Sequence, residues 1–199
     1  DDPIEKYVPE AKGMKTLTSD APLITIRHLM THNAGFPEDN PWGDRQLGRS
    51  DVWLDSLYSN GISFSTTPGT EYEYSNLGFS TLGLIIKKVS GQTYQHYITE
   101  NIFKPLGMNH TYWDYDDVPN DQLVIGYRFK DGKYVAQPLL HSGSFGAMGG
   151  LITTVEDFSK YMSLHLAAWP PRNDEDNGPL KRSSIREMHH AWNFAKVWT

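Results

Sequence analysis

Apolar residues recur at helical spacing along the chain, most clearly between Tyr74 and Gly91. The positions i, i+3, i+4 and i+7 of this stretch share one helix face and are Leu82, Ile85, Ile86 and Val89. Two lysines occupy the last predicted turn, where the helix dipole favours cations, and the following glycine is typical of a helix end. We therefore predict a helix that begins just after Tyr74 and ends at Gly91.

Five further helices are predicted, because hydroxyl residues precede apolar helical patterns as N-caps do. The capping residues are Thr25, Ser50, Thr93, the pair Thr153 and Thr154, and Ser184. Acidic residues follow the last two caps at the spacing of a capping box, and they are Glu156, Asp157 and Glu187. The side chains predicted to face inward from these two helices are Phe158, Tyr161, Met162, Leu166, Ile185, Met188 and Trp192.

A different pattern lies between Leu123 and Pro138, where two short extended runs flank Asp131-Gly132. An Asp-Gly pair between such runs predicts a tight β-hairpin. Residues 1–23 show no periodicity, because prolines and a glycine interrupt them, and we interpret them as an irregular lead-in. The predicted fold is mainly α-helical with one small β-hairpin.

Composition narrows the classes of function. The net charge of −6 argues against nucleic-acid binding, which needs clustered lysines and arginines. The absence of cysteine excludes disulfides, thiolate metal sites and a cysteine nucleophile. No apolar run approaches the ~20 residues that span a membrane, and any signal peptide is expected to lie outside this chain. His28 and His32 have the i, i+4 spacing of a helical zinc site, but the glutamate and a third ligand are missing, so we predict no metal.

The tripeptide Tyr-Ser-Asn occurs twice, in two different settings. Tyr58-Ser59-Asn60 ends a predicted helix before Gly61, where the asparagine serves as a capping residue. Tyr74-Ser75-Asn76 instead precedes a helix, whose N-terminal amide groups point at whatever the loop faces. A tyrosine there can carry protons, and an asparagine two residues on can hold a substrate amide. The spacing alone favours an ordinary packed tyrosine.

Four blocks of sequence resemble, in the same order, the serine β-lactamase, penicillin-binding protein and esterase superfamily on its class C side. They are ITIRHLMTHNAGF (24–36), PGTEYEYSNLGFSTLGLIIKKVSG (68–91), YITENIFKPLGMNHTYW (97–113) and GAMGGLITTVEDFSKYM (146–162). Four ordered blocks are far more specific than one motif. The resemblance implies that residues 1–199 form one partial domain. It would be the helical region of an α/β plus all-α fold, with most of the sheet missing.

The resemblance also implies an acyl-enzyme mechanism, in which the serine of a Ser-x-x-Lys motif attacks a carbonyl carbon. No serine of this chain has a lysine three residues on, so the nucleophile is expected outside it. In the carried-over mechanism Tyr74 is the catalytic proton relay, and Asn76 binds the substrate amide. No metal or organic cofactor is implied.

Two further residues are candidates for substrate contact. Trp42 lies in the loop that follows the first block, and a packing role explains it equally well. His141 begins a His-Ser-Gly triplet that matches the family's His-x-Gly motif in its letters. The triplet precedes the glycine-rich block, whereas the family's motif follows it. We therefore interpret His141 as a residue that lines or borders the cleft, and expect the true third motif outside the chain.

The implied substrates are small molecules or peptides with an ester, amide or lactam bond. Two alternatives stay open: a catalytically inactive relative that binds peptide or a partner protein, and a helical interaction module that is complete in these residues. Family members are mostly exported, which implies a secreted or periplasmic location. The oligomeric state is not predicted.

Overall fold

The computed structural model describes residues 1–194, whose regular secondary structure is helical apart from one hairpin. The helices are α1 (Ile26–Met30), α2 (Asn40–Gly43), α3 (Asp51–Ser59), α4 (Asn76–Ser90), α5 (Tyr94–Ile98), α6 (Lys104–Leu106), α7 (Val155–Leu166) and α8 (Arg182–Met188). The strands are β1 (Tyr127–Lys130) and β2 (Lys133–Ala136). A π-helical turn, Thr99–Phe103, joins α5 to α6. The predicted fold class, mainly α with a small hairpin, is confirmed.

Four predicted N-caps are confirmed, because each hydroxyl accepts a hydrogen bond from the amide three residues on. They are Thr25, Ser50, Thr93 and Thr154, at 3.2–3.3 Å. The capping prediction for Ser184 is wrong, since α8 begins at Arg182. The physical reason lies in the acidic loop before α8, where Asp176 accepts a hydrogen bond from the Arg182 amide at 2.7 Å.

The predicted hairpin is also confirmed. β1 and β2 pair antiparallel, with Tyr127 opposite Ala136 and Lys130 opposite Lys133. The turn residues Asp131 and Gly132 have φ angles of 51° and 77°. Both angles lie in the left-handed region that a type I′ turn requires, and an Asp-Gly pair adopts it at low cost. All eight strand residues are exposed, so the hairpin adds nothing to the core.

The core surrounds α4, which packs against α1, α5 and the turn Ser144–Met148. Its buried apolar residues are Ile4, Val8, Ala11, Ile24, Leu29, Ala34, Phe36, Leu54, Tyr58, Leu77, Leu84, Ile85 and Phe145. The first three belong to the segment 1–23, which forms two short 3-10 turns, Ile4–Lys6 and Pro9–Ala11. Turns of three residues are too short to show a periodicity in sequence, so this segment is more ordered than an irregular lead-in.

The buried face of α4 differs from the predicted one. Val89 is 65% exposed, whereas Ser80 and Thr81 are fully buried. The Ser80 hydroxyl donates to the carbonyl of Phe145 at 2.8 Å, and the Thr81 hydroxyl bonds the phenol of Tyr58 at 2.6 Å. Because buried hydroxyls with hydrogen-bond partners are tolerated, the buried face includes polar positions that a pattern of apolar letters does not reveal.

The inner faces predicted for α7 and α8 are largely wrong. Phe158, Met162 and Leu166 are exposed on α7, the last of them at 73%. Beyond α8, Trp192 is also exposed, while Ile185 is buried as predicted. Residues 1–194 contain two strands only, both in the hairpin, so no sheet covers these apolar faces. None of the helices in this part of the chain has the length and apolar character that a bilayer crossing requires.

Candidate functional site

Tyr74 and Asn76 lie at the start of α4. Side-chain oxygens accept hydrogen bonds from the first three amide groups of this helix. The Asp39 carboxylate accepts hydrogen bonds from the amides of Asn76 and Leu77 at 2.7 and 2.9 Å. Ser75 is the N-cap, and its hydroxyl accepts from the third amide at 3.3 Å. The helix terminus is therefore occupied by the protein's own acceptors, and these amides are not free for a substrate anion.

Tyr74 and Asn76 are directly joined. The phenol of Tyr74 donates a hydrogen bond to the side-chain oxygen Oδ1 of Asn76 at 3.2 Å. The tyrosine is half-buried, and the asparagine is buried. The side-chain nitrogen Nδ2 of Asn76 points to Asn40 in α2, at a long 3.4 Å. The structure thus brings the two central predicted site residues together, with the tyrosine partly exposed and the asparagine buried.

Gly43, the last residue of α2, lies against the side chain of Asn76. A Cβ atom built on Gly43 would be 2.4 Å from Asn76 Nδ2 and 2.9 Å from its Cγ. Such distances are shorter than van der Waals contact, so only glycine allows α2 to approach this closely. The orientation of the Asn76 amide therefore depends on a glycine at position 43 of α2.

Trp42 precedes Gly43 and packs inward. Its ring lies 5.8 Å from the ring of Trp53 and 5.8 Å from that of Phe145, measured between centroids. These contacts hold α2 against the core. The residue is still 38% exposed, one position from the glycine that contacts Asn76. A substrate contact of Trp42 stays a prediction.

His141 is held at a different place. Its imidazole Nδ1 lies 2.9 Å from the carboxylate of Asp114, and its ring meets the ring of Tyr115 edge-on. The hydrogen bond and the charge of Asp114 raise the pKa of His141 above its usual value. Among residues 1–194 these are the imidazole's hydrogen-bond and ring partners, rather than Tyr74 or Asn76. The structure therefore does not join His141 to the other candidate residues.

Asp114 and His141, together with Asp116, also bring three potential metal-ligand atoms within 4.8 Å of one another. All three side chains reach solvent, and Asp114 bonds both the imidazole of His141 and the amide of Asp116. We assign no metal to this cluster.

Besides Gly43, Asp39 and the role of His32 were missed in the sequence. Asp39 is 37 positions from the first amide that it binds. His32, weighed only as a metal ligand, accepts a hydrogen bond at Nδ1 from the amide of Ser75 at 3.1 Å. Its ring packs 4.6 Å from that of Tyr74, between centroids. The one local feature that distinguishes His32 is its position just after α1, where the chain turns with a left-handed φ of 53°.

The chain belongs to the beta-lactamase family, because the model of that family, Beta-lactamase, matches residues 1–198. It is 32% identical over 203 residues to Beta-lactamase-like protein 4 from Dictyostelium discoideum. That match covers 94% of this chain and 35% of the relative. This chain therefore spans about a third of a curated relative's length.

Solved structures show the same relationship. A penicillin-binding protein homologue from Pyrococcus abyssi, described as octameric, superposes with a TM-score of 0.74 and 28% identity. It covers 96% of this chain, which in turn covers 43% of that protein. A class C beta-lactamase superposes with a TM-score of 0.63 and 25% identity, over 84% of this chain and 43% of its own. The chain is thus a relative of the serine hydrolases of the β-lactamase and penicillin-binding protein class.

Proposed function

We propose that the protein is a serine hydrolase or acyltransferase that acts through an acyl-enzyme on ester, amide or lactam substrates. The observation that carries the proposal is the hydrogen-bonded pair of Tyr74 and Asn76 at the start of α4, in a chain of this family. In this proposal Tyr74 relays protons, and Asn76 orients the substrate amide. The nucleophilic serine lies outside these 199 residues, since no serine here has a lysine three residues on.

The chemistry follows from the two side chains. With Tyr74 as the phenolate, its own proton having been given up first, the serine oxygen would form a bond to the carbonyl carbon while the serine proton passes to the Tyr74 oxygen. As the bond from carbonyl carbon to the leaving group breaks, the same proton would pass to the departing nitrogen or oxygen. Water or another acceptor would then release the acyl group by the reverse sequence of proton transfers. Holding the substrate amide on Asn76 would keep the carbonyl in line for attack.

Covalent labelling tests this proposal. Protein purified from its natural source, with whatever residues accompany these 199, would be treated with a fluorophosphonate and analysed by intact-mass spectrometry and peptide mapping. Hydrolysis of an ester, a D-alanyl-D-alanine peptide and a β-lactam would be assayed in parallel. We expect one adduct, on a serine outside this chain, and hydrolysis of at least one substrate. An adduct on Ser75 would overturn the assignment of the nucleophile, and no adduct would favour an inactive, peptide-binding relative.

The contact between α2 and Asn76 gives a prediction about activity. Adding a methyl group with Gly43→Ala should displace the Asn76 amide, because the new Cβ would overlap it. A misplacement of about 1 Å at a catalytic group can lower the rate about 10²-fold, so we expect kcat/KM to fall about 10- to 100-fold. Gly126→Ala is the matched control, since its Cβ would meet nothing within 4 Å. Equal kcat/KM in both variants would show that Asn76 does not need this position.

A further inference from the structure

His32 holds the backbone on both sides of Tyr74. The carbonyl oxygen of His32 accepts a hydrogen bond from the amide of Glu73 at 2.7 Å. Its imidazole Nδ1 accepts a second hydrogen bond, from the amide of Ser75 at 3.1 Å. Glu73 and Ser75 are the two sequence neighbours of Tyr74, so a single residue fixes the peptide groups that set the direction of the phenol.

The imidazole ring also contacts the tyrosine ring. The two centroids are 4.6 Å apart, with an angle of 31° between the ring planes. The same imidazole stacks on Phe79, in the first turn of α4, at 4.9 Å and 29°. His32 therefore links the ring of Tyr74 to the helix that carries Asn76. Ring contacts at these distances, one tilted and one stacked, stabilise a defined orientation beyond the area that they bury.

The backbone of His32 is itself unusual. Its φ of 53° lies in the left-handed region, which residues other than glycine seldom adopt. Asparagine and histidine are among the residues that tolerate this region best. The left-handed turn after α1 lets one residue present both its carbonyl oxygen and its ring to the segment 73–75.

We propose that His32 is a positioning residue that holds Tyr74 in the orientation needed for proton relay, through the two backbone hydrogen bonds and the ring contact. The consequence for catalysis rests on the function proposed above, whereas the positioning itself does not. Since Nδ1 accepts a hydrogen bond, the positioning imidazole is neutral and carries its proton on Nε2. A second proton on Nδ1 would face the amide proton of Ser75 and break that contact.

The surroundings favour the neutral ring. Burial lowers the pKa of His32 below its ordinary value, and the negative charge of Asp39 opposes that shift. The other titratable groups that face the imidazole are the phenols of Tyr72 and Tyr74. Protonation of His32 at acidic pH should therefore release the amide of Ser75 and the ring of Tyr74 together.

Nuclear magnetic resonance of the purified protein tests the positioning without any assay of activity. We expect the nitrogen shifts of His32 to report the Nε2–H tautomer at neutral pH. The Ser75 amide and the Tyr74 ring signals should move with the same acidic midpoint as His32. An Nδ1–H tautomer, or signals of Ser75 and Tyr74 that do not follow His32, would overturn the proposal.

Two substitutions test the catalytic consequence. His32→Phe keeps a ring but removes the acceptor, so kcat should fall about 10- to 100-fold with KM little changed. His32→Asn restores an acceptor and tolerates the left-handed φ, so it should recover part of kcat and remove the acidic limb that His32 adds to the pH profile. Unchanged kcat in a folded His32→Phe protein would overturn the catalytic role. Failure of the wild type to hydrolyse any substrate would instead count against the proposed function.

Discussion

Replacing Tyr74 with phenylalanine should lower kcat about 10²- to 10⁴-fold, the usual contribution of a positioned acid–base group. The free energy of unfolding should change by less than about 1 kcal/mol, because the half-buried phenol gives up one hydrogen bond, to Asn76 at 3.2 Å. Steady-state kinetics and urea unfolding of the same preparation would measure the two quantities. A Tyr74→Phe protein that keeps its kcat would remove Tyr74 from the proposed mechanism.

The second Tyr-Ser-Asn tripeptide provides the matched control. Tyr58 is fully buried, and its phenol bonds the hydroxyl of Thr81 at 2.6 Å. Tyr58→Phe removes the same single oxygen atom, but leaves a buried hydroxyl without this partner, so it should lower the free energy of unfolding by about 1–2 kcal/mol. Its kcat should stay at the wild-type value. If both variants instead lost activity in proportion to stability, the effect of Tyr74→Phe would be structural.

The start of α4 and the hairpin turn could be predicted from the sequence, because the groups that form them are close in the chain. An N-cap such as Ser75 bonds an amide three residues away, and Tyr74 and Asn76 are two positions apart. The type I′ turn at Asp131-Gly132 is equally local. In each case, rotamers and φ angles within a few residues determine the contact, and the residue types show it.

The supporting contacts could not be predicted, since they join distant parts of the chain. Asp39 reaches the start of α4 across 37 residues, and His32 reaches Ser75 across 43. His141 shows that a match in letters does not place a side chain, because its triplet fits a motif while its imidazole bonds Asp114. A sequence pattern reports which faces are apolar, but not which polar groups tertiary packing brings together.

The burial of side chains also depends partly on the local sequence pattern and partly on tertiary packing. α4 buries Ser80 and Thr81 because the packed turn 144–148 and α3 supply partners for their hydroxyls. α7 exposes the apolar residues that its helical period marked as inward, because the described part of the chain offers no sheet to cover them. The spacing of apolar residues predicted both helices, but the elements packed against each helix determine which of its faces is buried.

Asp157 should carry the largest effect on stability. Its side chain is fully buried in the first turn of α7. The carboxylate accepts hydrogen bonds from the amide of His110 at 2.6 Å, the hydroxyl of Thr111 at 2.9 Å and the amine of Lys160 at 2.7 Å. It thus ties α7 to the segment after α6, a role different from the predicted capping box.

Asp157→Ala would leave these donors without their acceptor, so we expect the free energy of unfolding to fall by about 3 kcal/mol. Most of this loss should come from the amide and the hydroxyl, because Lys160 is partly exposed and its ion pair is screened. Asp157→Asn keeps an acceptor for His110 and should lose less. Glu156→Ala, at the exposed neighbouring position, should change stability by less than about 0.5 kcal/mol.

The pH dependence of the free energy of unfolding separates the contribution of the Asp157 charge from that of its shape and hydrogen bonds. Burial raises the pKa of this carboxyl, but the hydrogen bonds from Lys160, His110 and Thr111 outweigh burial, and the net pKa is lowered from 3.8. The folded state therefore binds this proton more weakly than the unfolded state. The resulting stability is present above the unfolded pKa and is lost as the pH falls through the folded pKa.

Urea unfolding between about pH 6 and pH 3 would measure this loss. Other carboxyl groups with a lowered pKa, such as Asp51 and Asp174, contribute with the same sign, so only the difference between wild type and Asp157→Asn isolates Asp157. We expect that difference to shrink as the pH falls below about 4. A difference that stays constant with pH would mean that the carboxylate acts through its shape and hydrogen bonds, and that its charge adds nothing.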